Sequence, residues 1–273
     1  MSILKNKTLW FALYGIFITL IFLYLLFPSD IAKSRLEDAV NSSGFIFKTE
    51  SLRPSLPFGL EMKNVTLSSA SPADIYFQGD WLDLQLNPVN YFQKNKNIGL
   101  SGSAYGGNFS GRFKLDSFPI FYPPQEGKLK FENIDLGKYS FIKTLLGKEI
   151  TGKVKGNWAY VLRNSAGGNL SGTIALFLTR GTYPLAEPFL GLNRIDFERG
   201  EIQARLENGI IKMEKLQISG QQIECFLNGE ITLADDFKNS KVNMKGEMII
   251  SGRKVKMNIT IEGTLANPSL RYI

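Results

Sequence analysis

Of the side chains that most often carry catalysis, this sequence has no histidine and a single cysteine, Cys225. Without histidine the usual general base and the commonest zinc ligand are missing, and one cysteine makes neither an internal disulfide nor a thiolate cluster. Chemistry would then have to come from a carboxylate pair or a Ser–Lys dyad. The adjacent acids Glu37-Asp38 and Asp235-Asp236 lie near turns, where such pairs are ordinarily solvated, and Glu61, Glu224 and Glu262 fall at outward strand positions. Nothing in their spacing sets an acid against a base. The residues therefore predict a non-enzyme with no catalytic residue, no cofactor-binding residue and no metal ligand. Cys225, between Ile223 and Leu227, reads as a small core residue.

The net charge of +7 is spread along the chain, and its densest run, Lys94-Asn95-Lys96, sits in a turn. Nucleic-acid binding calls for basic residues gathered on one surface with aromatics between them, and no such grouping is present. Lys153, Lys155, Lys254 and Lys256 instead alternate with apolar residues. They read as the solvated face of a sheet, with a weak secondary attraction to anionic lipid headgroups.

These residues need elements to hold them, and the first is an anchor. Thr8 to Phe27 reads TLWFALYGIFITLIFLYLLF, 20 residues without a charge, which matches a hydrocarbon core of roughly 30 Å at 1.5 Å per residue. Trp10, Tyr14 and Tyr24 lie toward its two ends, as interfacial aromatics do. A cleavable signal has a shorter apolar stretch and a small-residue cleavage site; here Phe27-Pro28-Ser29-Asp30 follows, so the expectation is an uncleaved signal anchor. Lys5 and Lys7 before the span balance Lys33 and Arg35 after it. The acid-free N-terminal tail, set against Asp30, Glu37 and Asp38 on the other side, tilts the expectation toward N-in, C-out.

After the anchor, Asp30 is placed to cap an amphipathic helix whose stripe is Ala32, Leu36, Ala39, Val40 and Ser43, with Gly44 as its stop. From about Phe45 a period of two takes over. Val255, Met257, Ile259, Ile261, Gly263 and Leu265 alternate strictly with polar residues, as do Ile223 to Leu233 and Leu170 to Leu178. Short turns such as Leu233–Phe237 and Ser251–Lys254 between such strands predict antiparallel meanders. Two helical breaks are expected, Asp135–Gly147 and a single turn at Glu187–Leu192. The aromatic, proline-rich Phe118–Pro124 reads as a loop that could mark a boundary, although one domain is kept.

An apolar–polar–Gly–polar–apolar element recurs in these strands, from Leu100–Ala104 to Ile261–Leu265, and Gly229, Gly246 and Gly263 are spaced by 17 residues. Alternation places the glycines on the apolar face. Either they let strands approach and the sheet coil, or they make room for Trp158 and the phenylalanines opposite.

The order of these pieces resembles the type II secretion system protein N family, in the form described for Leptospira- and Geobacter-like bacteria. The resemblance rests on the span ending Phe27-Pro28-x-Asp30, the helix closing at Gly44, and Pro57-Phe58-Gly59-Leu60-x-Met62-x-Asn64-Val65-x-Leu67. It continues through Leu145-Leu146-Gly147 to Gly152-x-Val154-x-Gly156, Phe189-Leu190-Gly191-Leu192 and Gly263-Thr264-Leu265-x-Asn267-Pro268. The glycine-strand grammar is also similar to AsmA-like proteins, which have an inner-membrane anchor and a periplasmic β groove associated with lipid handling. The family resemblance implies a non-enzymatic accessory component of a bacterial type II protein secretion system, binding envelope partners; the second likeness implies a lipid-binding or lipid-transfer groove.

The expected architecture is mostly β: one N-terminal transmembrane helix, a curved antiparallel sheet forming a groove or half-barrel, and a few short helices. In residue terms it is a short cytoplasmic tail over 1–7, a transmembrane signal anchor over 8–27, an amphipathic helix over 28–44 and a periplasmic β-rich domain over 45–273. The expected partners are the inner membrane, crossed once, other secretion-system envelope proteins and lipid, with no nucleic acid and no cofactor.

Overall fold

The computed structural model describes residues 7–41, 45–69, 75–86, 96–115, 124–162, 170–189, 191–250 and 255–272. Two helices lead. The first, α1 (Lys7–Leu25), is 19 residues of almost wholly apolar sequence, about 28 Å at 1.5 Å per residue, and it leaves Phe11, Tyr14 and Leu25 exposed. Among the described residues, which leave out the side chains of Thr8, Leu9 and Leu23, no helix is long and apolar enough to cross a membrane.

The second helix, α2 (Ser29–Asn41), carries Asp30 in its first turn. There the carboxylate favours the positive end of the helix dipole rather than capping it from outside. Of the expected stripe, Ala32 and Leu36 pack against Leu52, Met62 and Val65, whereas Ala39 is exposed. Ser43 and the expected stop, Gly44, lie outside the described residues.

The rest is β-rich, as the alternation predicts. The strands are β1 (Phe45–Lys48), β2 (Ser51–Ser55), β3 (Gly59–Ser69), β4 (Ile75–Leu86), β5 (Lys96–Ala104), β6 (Gly107–Leu115), β7 (Glu126–Asp135) and β8 (Thr151–Leu162). There follow β9 (Leu170–Phe189), β10 (Leu192–Glu207), β11 (Ile210–Ser219), β12 (Ile223–Thr232), β13 (Lys241–Ile250), β14 (Val255–Thr264) and β15 (Pro268–Tyr272). All belong to one antiparallel sheet that runs in chain order from β3 to β15, with β1 and β2 laid end to end along the free side of β3. The sheet does not close, and its edges are β1–β2 and β15.

At the break between β1 and β2, Thr49 is 4% exposed. Its hydroxyl donates to the Lys63 carbonyl at 2.8 Å and its backbone N–H donates to Glu37 Oε1 at 3.1 Å, which ties α2 to the edge.

Period-two side chains and in-order pairing together stack like with like. Successive cross-strand partners from β3 to β15 are Met62, Leu82, Gly102, Phe109, Phe131, Gly156, Leu176, Ile202, Leu216, Leu227, Gly246, Ile259 and Tyr272. The next row of the same face runs Leu84, Leu100, Gly111, Leu129, Trp158, Ile174, Ala204, Met213, Gly229, Met244, Ile261 and Leu270. One face is thus apolar across the whole sheet, and alternation leaves the other polar.

The two readings of the glycines divide by position. Gly102 meets both the Phe109 ring and the Trp81 carbonyl, each 2.5 Å from an added Cβ, and the Tyr160 ring lies over Gly127; here an aromatic side chain covers a cross-strand glycine. Gly156, Gly229 and Gly246 instead face the backbone carbonyls of Ala175, Asn243 and Phe226, so there the strands themselves close in.

Register shifts at Phe131/Ile134 and Met213/Leu216 mark bulges. Asn64, Asn133 and Arg180 hold positive φ of 49°, 57° and 45° within or beside strands. Bulges of this kind bend a strand and raise its local twist.

The first expected helical break is present. Asp135 accepts from the Gly137 N–H and caps a 3-10 turn, Leu136–Lys138, followed by α3 (Ser140–Leu146), which Gly147 ends at φ 64°. The second is corrected. Glu187–Leu192 is not a helical turn: β9 continues to Phe189, which pairs with Leu192 at the start of β10. With Gly191 at φ 84°, the chain reverses there as a hairpin and both strands run on. The aromatic loop falls outside the described residues except for Pro124, as does the Ser251–Lys254 turn.

Candidate binding surfaces

The apolar face is covered unevenly. At its first end α2 and Phe27 lie over Leu52, Met62 and Val65, exposed by 2%, 1% and 1%. At its far end Ile223, Cys225, Leu227, Met248 and Ile259 form a buried cluster, flanked by Leu192 and Ile195 from the top of β10. Between these ends Leu129, Phe131, Ile174 and Leu176 are only half-buried and Trp158 is 37% exposed. A strip of this kind, apolar and incompletely covered, is a surface for apolar ligands or partners.

An aromatic clamp holds α3 against β4. Tyr76 and Phe141 meet edge to face at 5.2 Å, and Tyr105 and Tyr139 lie 4.8 Å apart. The Tyr139 hydroxyl donates to the Tyr76 carbonyl at 3.1 Å, and Tyr105 Oη accepts from the Gln78 N–H at 2.7 Å. Burial pushes the Tyr105 phenol up to about 12 and raises that of Tyr139. Both rings are therefore neutral packing elements near neutral pH. The clamp sets α3 against β4, and α3 also reaches the 3-10 turn Phe237–Asn239 between β12 and β13.

The candidate acids are dispersed. Glu37 accepts from Thr49, and Asp236 caps the Phe237–Asn239 turn by accepting from the Lys238 N–H. Glu61 stands opposite Asp83 on the polar face, and Glu262 pairs with Arg271 at 3.7 Å. None of these is joined to a base or nucleophile in a catalytic arrangement. Among the described residues no group of three or more acids or cysteines could hold a metal ion. Cys225 is buried at 5%, as its neighbours predicted, and burial raises its thiol to about 11, so it is protonated and unreactive.

On the polar face the charges are unevenly matched, which periodicity alone did not reveal. Over β10–β14 they pair across strands: Glu201–Lys215 at 2.5 Å, Arg205–Glu214 at 3.2 Å and Glu247–Lys256 at 2.9 Å. Over β6–β8 two cations, Arg112 and Lys128, face each other directly. Phe177 and Phe226 also stand exposed on this side, at 42% and 38%.

No family model, curated protein or solved structure matches the chain.

Proposed function

We propose that this chain is a membrane-tethered, non-enzymatic protein of the bacterial envelope whose apolar sheet face holds the acyl chain of a lipid. The observation that carries this reading is the strip around Trp158, where Leu129, Phe131, Ile174 and Leu176 are half-open between buried clusters at the two ends of the sheet. The choice of occupant follows from continuity. The apolar helix α1 leads through Phe27 into α2, and both Phe27 and α2 pack on the same apolar face, so that face begins where the apolar helix ends. In this reading α1 crosses the inner membrane, the sheet lies in the periplasm, and the sheet coils into a groove. The bulges and positive-φ residues, and the approach of α3 to the Phe237–Asn239 turn across the intervening strands, favour such coiling.

A second reading, an accessory subunit of a type II secretion apparatus, is favoured by the open edge. Among the described residues β15 pairs with Ile259–Gly263 of β14 and ends the sheet, an edge to which an envelope partner would add a strand.

One experiment separates the two. A photo-crosslinking residue at position 158 of the full-length chain in cells is expected to give a lipid adduct. Capture of an envelope protein there, with no lipid, would transfer the assignment to the secretion reading. A C-terminal reporter active only outside the cytoplasm checks the topology, and an expressed but inactive reporter would sink both readings.

A further inference from the structure

We propose that the polar face of β6–β10 carries a phosphate-binding site centred on Arg112 and Lys128. By register Arg112 and Lys128 stand on the face opposite the strip assigned to lipid, and the proposal does not depend on that assignment. Arg112 and Lys128 are direct cross-strand partners. Like charges set opposite each other destabilise a sheet, and neither side chain has a salt bridge among the described residues. The nearby acids are already engaged: Glu126 by Lys114 at 2.9 Å, Glu132 by Lys130 at 2.7 Å, and Glu207 by Lys212 at 3.8 Å. The surplus positive charge is therefore local.

The sheet also makes room for a ligand. The row through Arg112 and Lys128 continues to Ala159 and Thr173, a small residue and a hydroxyl, and ends at Arg205, whose charge is paired with Glu214 at 3.2 Å; on its other side Arg112 faces Gly99. Two adjoining hollows, about 1170 Å³ and about 850 Å³, share Arg112, Lys128 and Ala159 in their walls.

The larger hollow is walled by the two polar rows and by the apolar-face row between them, with Ile98, Phe113, Tyr160 and Leu206, and the smaller one reaches Leu129 and Trp158. A planar guanidinium beside an ammonium suits the oxygens of a phosphate, the first bidentate and the second as a point charge. The hollow is larger than a bare phosphate ion, so the chemistry fits a phosphate ester, carried either by a lipid head or by a soluble molecule.

The test uses the full-length chain in neutral detergent, titrated calorimetrically with inorganic phosphate, dihexanoyl-phosphatidylglycerol and dihexanoyl-phosphatidylcholine. Binding of phosphatidylglycerol at least about tenfold tighter than its zwitterionic counterpart marks a lipid head; binding of inorganic phosphate without that preference marks a soluble ester. In either case R112Q/K128Q is expected to lose at least about tenfold in affinity, while its melting temperature without ligand holds or rises because the like-charge repulsion is gone. The proposal is overturned if neither anion binds, if the double variant binds as the parent does, or if its unliganded form melts lower. The last result would make the pair structural.

Discussion

The two ends of the apolar face and the strip around Trp158 follow the same alternation, yet the ends are closed and the strip is not, even with Phe109, Val154 and Ala204 buried nearby. Met62 at one end and Ile259 at the other are 1% and 2% exposed, whereas Trp158, four strands on from Met62's partner Leu82, is 37% exposed. What differs is the cover: α2 over the first strands, and β10 curling with Leu192 and Ile195 toward β12–β14. The lesson is that burial in a single-layer sheet is decided by what lies over it. Stability is therefore concentrated where the apolar face is covered.

The largest expected effect tests this directly. Met62→Ala removes a side chain from a closed site and should cost about 3 kcal/mol, because the neighbours on α2 and β2–β4 collapse only partly into the space. Trp158→Leu leaves no enclosed cavity and should cost less than about 1.5 kcal/mol. Urea unfolding of the full-length chain measures both. Equal losses would break the contrast between ends and middle.

A second pair of substitutions sharpens it within the glycines. Gly246→Ala directs a methyl at the Phe226 carbonyl in the closed end, and an overpacked strand pairing should lose about 2 kcal/mol. Gly147→Ala meets nothing within 4 Å; it carries only the strain of a side chain at φ 64°, about 1 kcal/mol. The two denaturation midpoints should rank in that order.

Much of this was legible in the sequence. Period-two alternation from Phe45 onward gave the strands and the meander, Asp135 and Gly147 gave the ends of the one helical break, and Ile223 and Leu227 placed Cys225 in the core. The hairpin at Gly191 was misread because Pro188-Phe189-Leu190-Gly191 is as apolar as a helical turn, and only the pairing of Phe189 with Leu192 decides between them. The two roles of the glycines were not separable, since a ring opposite and a carbonyl opposite leave the same local pattern. Nor was the Arg112–Lys128 juxtaposition readable, because it depends on the register between β6 and β7.

Alkaline pH should loosen the closed regions before the open one. Burial raises the Cys225 thiol from 9.0 to about 11 and the Tyr105 phenol from 10.0 to about 12. Each group holds its proton more tightly in the folded chain. Their contribution is complete below the unfolded values and is lost as pH rises through about 9 to 12. Amide exchange should therefore accelerate first around β12 and around the Tyr105–Tyr139 clamp. Cys225→Ala should flatten the lower part of that window, and an unchanged profile would mean that the thiol is not closed off.

The smallest effect belongs to the polar face, where the paired region can be set against the unpaired one. The Lys215 ammonium, with help from Gln203, holds the Glu201 carboxyl below the ordinary glutamate value. A depressed carboxylate stabilises the fold above its unfolded value of 4.5 and loses that contribution as pH falls through the folded one. Glu201→Gln should therefore shallow the acid limb of the stability profile while changing little at neutral pH, since the pair is exposed and screened. Adding salt at neutral pH gives the complementary reading. Screening weakens attraction over β10–β14 but relieves repulsion between Arg112 and Lys128. R112Q/K128Q removes only the relief, so the variant should lose more stability on salt addition than the parent does. Equal salt responses would mean that the two cations do not feel each other across the strands.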